Sequence, residues 1–359
     1  MKFFGVSRKI IIFILLSAVT LSVGGCLSPK TDEKTARLLK TEEASRADMM
    51  TEVNRFARVG SMQAKMYLKF EDNSFAEFGN KEVYRRADGE IVVQRPANIR
   101  MKVLVPVIKT DVAQMTSDGK SFRVAILQDG GSGKYKKFVK GTNSADYTKL
   151  QKNLDKTDLD NGKAIKESVN AFANLRPQHF TDALLVRPTE SAHTYTVSSI
   201  FQTEEDTSLD KKSPLRVVVR GYYLLDEHVK QENGDLKIAR RFWFDRVGGL
   251  RLARLQIFDS ADEIDSDIVY GKEGNLTSTG NYNNLPLEIQ VTRPKEKYSL
   301  KLTYQTPDDV KIGGVFPETA FVLQNSWNLE EVDLDAKLRE TSAAAPTTTT
   351  PPVGNNFKP

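Results

Sequence analysis

The sequence predicts a mostly β, α+β protein of ten or eleven antiparallel strands, with a helix in front and a helical insertion in the middle. Three observations predict it. Met62, Ala64, Met66, Leu68 and Phe70 alternate with Gln63, Lys65, Tyr67 and Lys69, and similar runs recur along the chain; a period of two marks a strand with one buried face. Turn residues such as Asp118-Gly119 and Gly248-Gly249 separate these runs at hairpin spacing. Two stretches, Lys34 to Val59 and Ser144 to Leu175, change to helical spacing.

In chain order, Leu38, Leu39, Met49, Met50, Val53 and Phe56 form one broad apolar helix face, which Gly60 ends. The Met62–Phe70 strand follows, then a strand at Glu82 to Arg86, a turn at Asp88-Gly89, and strands at Glu90 to Gln94 and Ile99 to Val105. Val112 to Thr116 and Phe122 to Leu127 flank a hairpin turn at Ser117 to Lys120. Gly130 to Gly133 reads as a loop. The helical insertion spans residues near 144–185, broken at Asp160-Asn161-Gly162, with Pro177 opening its last short helix. Extended runs resume at His193 to Phe201, Leu215 to Leu225, Leu236 to Asp245 and Leu250 to Phe258. Glu263 to Tyr270, Leu287 to Arg293 and Tyr298 to Gln305 complete them, and Phe316 to Leu323 closes the core. No internal repeat or linker divides residues 35–330, which read as one domain. Residues 331–359 read as a disordered Thr/Pro-rich tail.

The N-terminus carries a separate message. Lys2, Arg8 and Lys9 precede an apolar run from Ile10 to Leu16, which passes through small residues to Val23-Gly24-Gly25-Cys26. A basic start, a short apolar middle and a small-residue end read as a signal peptide over residues 1–25. The apolar run is too short to span a bilayer, which takes about 20 residues. Cys26 is the one cysteine in the chain, so no internal disulfide exists. Three of the 52 basic residues lie within the first 25, leaving 49 against 47 acidic, so the basic character belongs mainly to the signal. A near-neutral, mixed-charge chain argues against nucleic acid as a partner.

Catalytic and metal chemistries find no constellation. His179, His193 and His228 are scattered, with no second ligand at metal spacing, and no cofactor is expected. Gly130-Gly131-Ser132-Gly133-Lys134 fails as a phosphate loop, because Gln128 stands at the first glycine position and Tyr135 where Ser/Thr is required. It fails as a nucleophile elbow because Lys134 replaces the second glycine. Asp259, Asp262, Glu263, Asp265 and Asp267 lack the central glycine and terminal glutamate of a calcium loop. Phe242 and Phe244 share a face with Ile238, whereas Trp243 points the other way and is a candidate partner surface. The expectation is a binding protein, not an enzyme.

The Val23–Cys26 stretch resembles a bacterial lipoprotein signal. That resemblance implies cleavage before Cys26, a diacylglycerol on its thiol, acylation of the new amine, and a tether over residues 26–34. Two or more acyl chains hold a protein stably on a membrane. Val92-Val93-Gln94-Arg95-Pro96-Ala97-Asn98-Ile99-Arg100, Thr116-Ser117-Asp118-Gly119-Lys120, and Leu285-Pro286-Leu287-Glu288-Ile289 followed by Tyr298 to Tyr304 resemble the LolA/LolB-like lipoprotein carriers of bacterial envelopes. The resemblance covers roughly residues 45–325 and departs from the family in the long helical middle and the tail. It implies a curved, incomplete antiparallel β-barrel of about eleven strands, with helices covering an apolar concave face that holds acyl chains. Candidate cavity-lining residues are Met66, Leu68, Phe70, Ile99, Met101, Val103, Val217, Val219, Phe242, Phe244, Leu300, Leu302 and Tyr304. The implied partners are the membrane, reached through the acyl chains, an acyl-chain ligand or lipoprotein cargo, and envelope proteins. Leu27, where an aspartate would favour inner-membrane retention, suggests the outer membrane, facing the periplasm. A structural or assembly lipoprotein with a core filled by its own side chains is the other reading.

Overall fold

The computed structural model describes residues 36–72, 82–83, 86–105, 109–128, 133, 136–145, 147, 150, 177–277 and 282–343. They fall into two compact units, one within Leu39–Gln202 and Arg220–Pro359, the other within Met1–Leu38 and Thr203–Val219. In the small unit, β1 (Arg37–Leu38) pairs in parallel with Val218 and Val219. Arg216 there donates to Glu205 and to the Leu209 carbonyl, closing the turn between them. The helix expected from Lys34 therefore starts later. α1 (Arg46–Ala57) opens at Ser45, whose side chain and Asp48 form a reciprocal capping box.

The large unit is one antiparallel sheet made from two meanders. The first runs through β2 (Ser61–Asp72), β3 (Glu82–Val83), β4 (Ala87–Gln94), β5 (Asn98–Leu104), β6 (Asp111–Asp118), β7 (Ser121–Ile126) and β8 (Lys137–Thr142). α2 (Pro177–Leu184) follows. The second meander has β9 (Thr194–Glu205), β10 (Val217–Lys230), β11 (Leu236–Asp245), β12 (Arg251–Phe258), β13 (Ile264–Leu276), β14 (Tyr282–Arg293) and β15 (Tyr298–Tyr304). β15 lies antiparallel to β2, from Tyr298 opposite Asp72 to Tyr304 opposite Met66, and this pairing joins the meanders. β16 (Lys311–Ile312) continues along β2, and β17 (Glu330–Asp333) runs parallel to β8, leading into α3 (Leu334–Ala343).

The expected fold class is what the chain adopts: mostly β, with an open, curved sheet. α2 packs on β5 and β6 and also on β14. On a flat sheet, β14 and β6 would lie five strand spacings apart, roughly 24 Å. An eight-residue helix reaches both only because the sheet wraps around it. Beyond β8, β17 runs parallel to it, from Glu330 opposite Lys137 to Asp333 opposite Lys140.

Several local expectations change. Asp88-Gly89 is not a turn; both residues lie inside β4, paired with Leu104 and Val103. Gly89 is needed for close approach, since a Cβ there would sit 2.8 Å from Leu68 Cδ1. β8 had no clear sequence signal. Residues 331–343, read as tail, lie in β17 and α3, with Val332 and Leu334 buried. The segment expected to close the core, Phe316 to Leu323, holds a short 3₁₀ turn, Glu318–Phe321, that buries Phe321. Cys26, the signal, most of the Gly130–Lys134 loop, the 151–176 part of the helical insertion and residues 344–359 lie outside the described residues.

Candidate functional site

Alternation along β2 turns Met62, Ala64, Met66 and Leu68 inward, and the same phase in the other strands builds a continuous apolar concave face. Met66, Leu68, Ile99, Met101, Phe242, Phe244, Leu300, Leu302 and Tyr304 all lie in this buried cluster, with Phe70 and Val103 packed partly buried against it. Val217 and Val219 do not join it. They are half-buried in the small unit, while Val218 between them is fully buried. Trp243 is no open partner surface. It is 8% exposed, covered by the Arg254 guanidinium and Tyr222, and its indole N–H donates to Gln256.

The two helices fill the concave face. α1 buries Met49, Val53 and Phe56 and sets the Phe56 ring 5.7 Å from that of Tyr270. α2 buries His179, Phe180, Ala183 and Leu184. His179 Nδ1 lies 2.5 Å from the Tyr298 hydroxyl, and the Tyr270 hydroxyl donates to the Ala183 carbonyl. Burial pushes the Tyr270 and Tyr304 hydroxyls well above the ordinary phenol range, so both stay neutral.

Arginines hold the helix ends. Arg95, at the β4–β5 turn, donates to the Ala57 and Val59 carbonyls at the end of α1, at 3.0 and 3.1 Å. The same guanidinium donates to the Leu185 and Val186 carbonyls just past α2, at 3.3 and 2.7 Å. Helix C-termini leave carbonyls unsatisfied and carry partial negative charge, so one cation answers both ends. Burial lowers the Arg95 pKa, although a guanidinium stays charged. Arg240 continues the clamp, donating to the Arg187 and Pro188 carbonyls at 2.8 and 2.9 Å and binding Glu227 through two nitrogens. Glu227 is fully buried and also accepts from the Tyr195 hydroxyl, at 2.8 Å, and pairs with His193 Nδ1 at 2.7 Å. Burial raises its pKa, but the bonds from Arg240, His193 and Tyr195 together outweigh it and hold the carboxyl below its usual range. Burial, with Glu227 alongside, pushes the Tyr195 hydroxyl up to about 12.

Sequence reasoning does not find this polar cluster. A signal did exist. Glu227 shares a strand phase with Leu225, and Arg240 shares one with Phe242, so each polar residue stands at an inward position, and they face one another across β10 and β11. The acidic run near Asp265 pairs with cations: Asp259 with Lys295, Asp265 with Arg293, and Asp267 with Arg254. A cavity of about 870 Å³ is lined by the charged Lys65, Glu90 and Lys102 together with apolar residues such as Val92 and Ile312. No helix among the described residues is long and apolar enough to cross a membrane.

No family model matches the sequence, and no curated protein matches it. Solved structures do. A LolA superfamily protein from Nitrosomonas europaea aligns at 10% identity and a TM-score of 0.39, covering 78% of this chain and 99% of that one. A putative outer membrane lipoprotein-sorting protein domain from Vibrio parahaemolyticus aligns at 10% identity and 0.37, covering 77% and 94%. A DUF1329 family protein from Desulfovibrio piger aligns at 12% identity and 0.34, covering 77% and 95%.

Proposed function

We propose that this is a lipid-anchored protein of a bacterial envelope that takes acyl chains of lipoproteins or lipids onto its concave sheet face and hands them on without catalysis. The observation that carries this reading is the character of the interior. Met49, Met62, Met66, Met101 and Met115 all lie in the buried cluster between sheet and helices. Unbranched thioether side chains repack at low cost and suit a surface that must accept varied apolar shapes. The helices that cover it are held at their ends by hydrogen bonds from Arg95 and Arg240 to backbone carbonyls, bonds that water can replace. An acyl chain offers about 0.8 kcal/mol per buried CH₂, so a dozen methylenes supply on the order of 10 kcal/mol. Cys26 would keep the protein at the outer membrane, facing the periplasm, where lipidated cargo arrives.

The filled concave face gives one specific observation for the other reading, a structural or assembly lipoprotein acting through protein contacts. A fatty acid carrying a photoreactive group on its tail separates the two. Irradiation in envelopes should label residues such as Met66, Met101 and Leu302, and native mass spectrometry should find co-purified lipid. No labelling in the cluster and no bound lipid would remove the carrier reading and leave the filled-core one.

A further inference from the structure

Ion pairing is not shared evenly over the sheet. In the second meander, Arg241 is held by Asp226, Arg254 by Asp267 and Lys301 by Glu288. On β2, β4 and β5 that pattern stops. Lys65 stands opposite Glu90, and Glu90 opposite Lys102, yet Glu90 pairs with neither among the described residues. Two residues along, Gln63 stands opposite Val92 and Val92 opposite Arg100, while Lys311 of β16 stands opposite Gln63. Lys65, Arg100, Lys102 and Lys311 make no ion pair and no side-chain hydrogen bond among the described residues. Arg100 and Lys102 are half-buried even so, and a partly desolvated charge costs free energy unless it is paired.

These four cations line the cavity of about 870 Å³, a size within the range of about 300–1,000 Å³ that small ligands occupy. Its floor is β2, β4 and β5. Another wall is the 3₁₀ turn Pro307–Asp309, which brings Asp308 and Asp309 to the same cavity. The Thr277 N–H donates to the Pro307 carbonyl and the Gln305 N–H to the Lys65 carbonyl, both at 3.0 Å, so this wall is tied on two sides. Asp308 and Asp309 are exposed, and neither carboxylate takes a hydrogen bond or a cation among the described residues. One cavity thus holds unpaired cations on its floor and unpaired carboxylates on its wall, kept apart from each other.

We propose that this cavity binds a zwitterionic headgroup, a phosphodiester that carries a primary ammonium. The phosphate lies on Lys65, Arg100 and Lys102, and the ammonium at Asp308 and Asp309. Lys65 and Lys102 are two strands apart, roughly 10 Å at the backbone, and Arg100 is about 7 Å along β5 from Lys102. Long basic side chains at that spacing converge on one phosphate, and charge-assisted bonds to its oxygens are the strong ones. Glu90, between the two lysines, lowers the charge of the floor, which suits a singly charged diester better than a doubly charged monoester. A plain anion would leave the two aspartates unanswered, and a plain cation would leave the four basic residues so. Lys65 lies on the opposite face of β2 from the buried Ala64 and Met66, so this site does not rest on the acyl-chain reading.

The test uses the full-length protein purified from membranes in mild detergent. Calorimetry should show glycerophosphoethanolamine binding about tenfold tighter than glycerophosphoglycerol, a diester without the ammonium. Asp308→Asn with Asp309→Asn should remove that preference and leave both diesters bound. Lys65→Gln with Lys102→Gln should abolish binding of both. Lys65→Gln with Lys311→Gln changes only exposed side chains, so it should weaken both at unchanged thermal unfolding even if the Lys102 variant folds poorly. Native mass spectrometry with equal phosphatidylethanolamine and phosphatidylglycerol then identifies the source. Phosphatidylethanolamine retained by the parent and lost from the Lys65→Gln, Lys102→Gln variant assigns the site to a lipid headgroup; retention that ignores the variant, with the soluble diester still bound by the parent, assigns it to a free one. The proposal is overturned if neither diester binds, if the parent binds the two equally, or if the lysine variants bind as the parent does.

Discussion

Glu227 and Arg240 show what a misplaced charge costs in this core. Each is almost wholly buried, and each completes the other. Arg240→Met should leave the Glu227 carboxylate without its main partner and cost about 3–5 kcal/mol in urea unfolding. Adding Glu227→Gln should recover much of the loss, because the stranded charge is gone. The same pair sets an acid limit. The Glu227 carboxyl titrates below its unfolded value of 4.5, so its stabilisation is complete above that pH and is lost as pH falls through the folded pKa. Asp182, on α2, has the opposite sign. Burial raises its pKa, with Arg187 and Arg293 pulling it down less strongly. The ionised form is therefore a burden at neutral pH that acid relieves. Asp182→Asn should raise the melting temperature at pH 7, and the gain should shrink as pH falls toward the unfolded carboxylate value.

At the scale of elements, Arg95 decides how firmly α1 and α2 lie on the sheet. Its guanidinium is a shared cap for two helices that make no long hydrogen-bonded ladder with anything else. Arg95→Ala should destabilise by about 2–3 kcal/mol. Amide hydrogen exchange should speed up across Arg46–Ala57 and Pro177–Leu184 together while β5 and β15 stay protected. If the helices instead loosen separately, or the whole sheet exchanges faster, Arg95 is not the common clamp. Under the carrier reading, the same variant should take up an acyl probe faster, since less must be broken to uncover the Met-lined face.

For the molecule as a whole, the junction of β2 with β15 merges two meanders into one interior. Leu302 lies in β15 opposite Leu68 in β2 and is fully buried. Leu302→Ala should cost about 2–5 kcal/mol, measured by chemical unfolding. The anchor is tested by Cys26→Ser, which should release the protein from the membrane fraction or block its processing. Unchanged fractionation would argue against lipidation.

The sequence alone carried the fold class, because strand alternation is a property of neighbouring residues. Its alternation also marked inward-facing positions: Ile99, Met101, Phe242, Phe244, Leu300 and Leu302 are all buried in the core. It failed where non-local packing chose. Asp88-Gly89 looks like a turn until Leu68 of the paired strand needs the space that a Cβ would fill. Arg95 and the Glu227–Arg240 pair were visible as polar residues beside apolar ones, but their partners are carbonyls and side chains from 13 to 91 positions away. Which carbonyls lie bare and which cation reaches them is settled only when the sheet curls and brings the ends of two helices to one guanidinium.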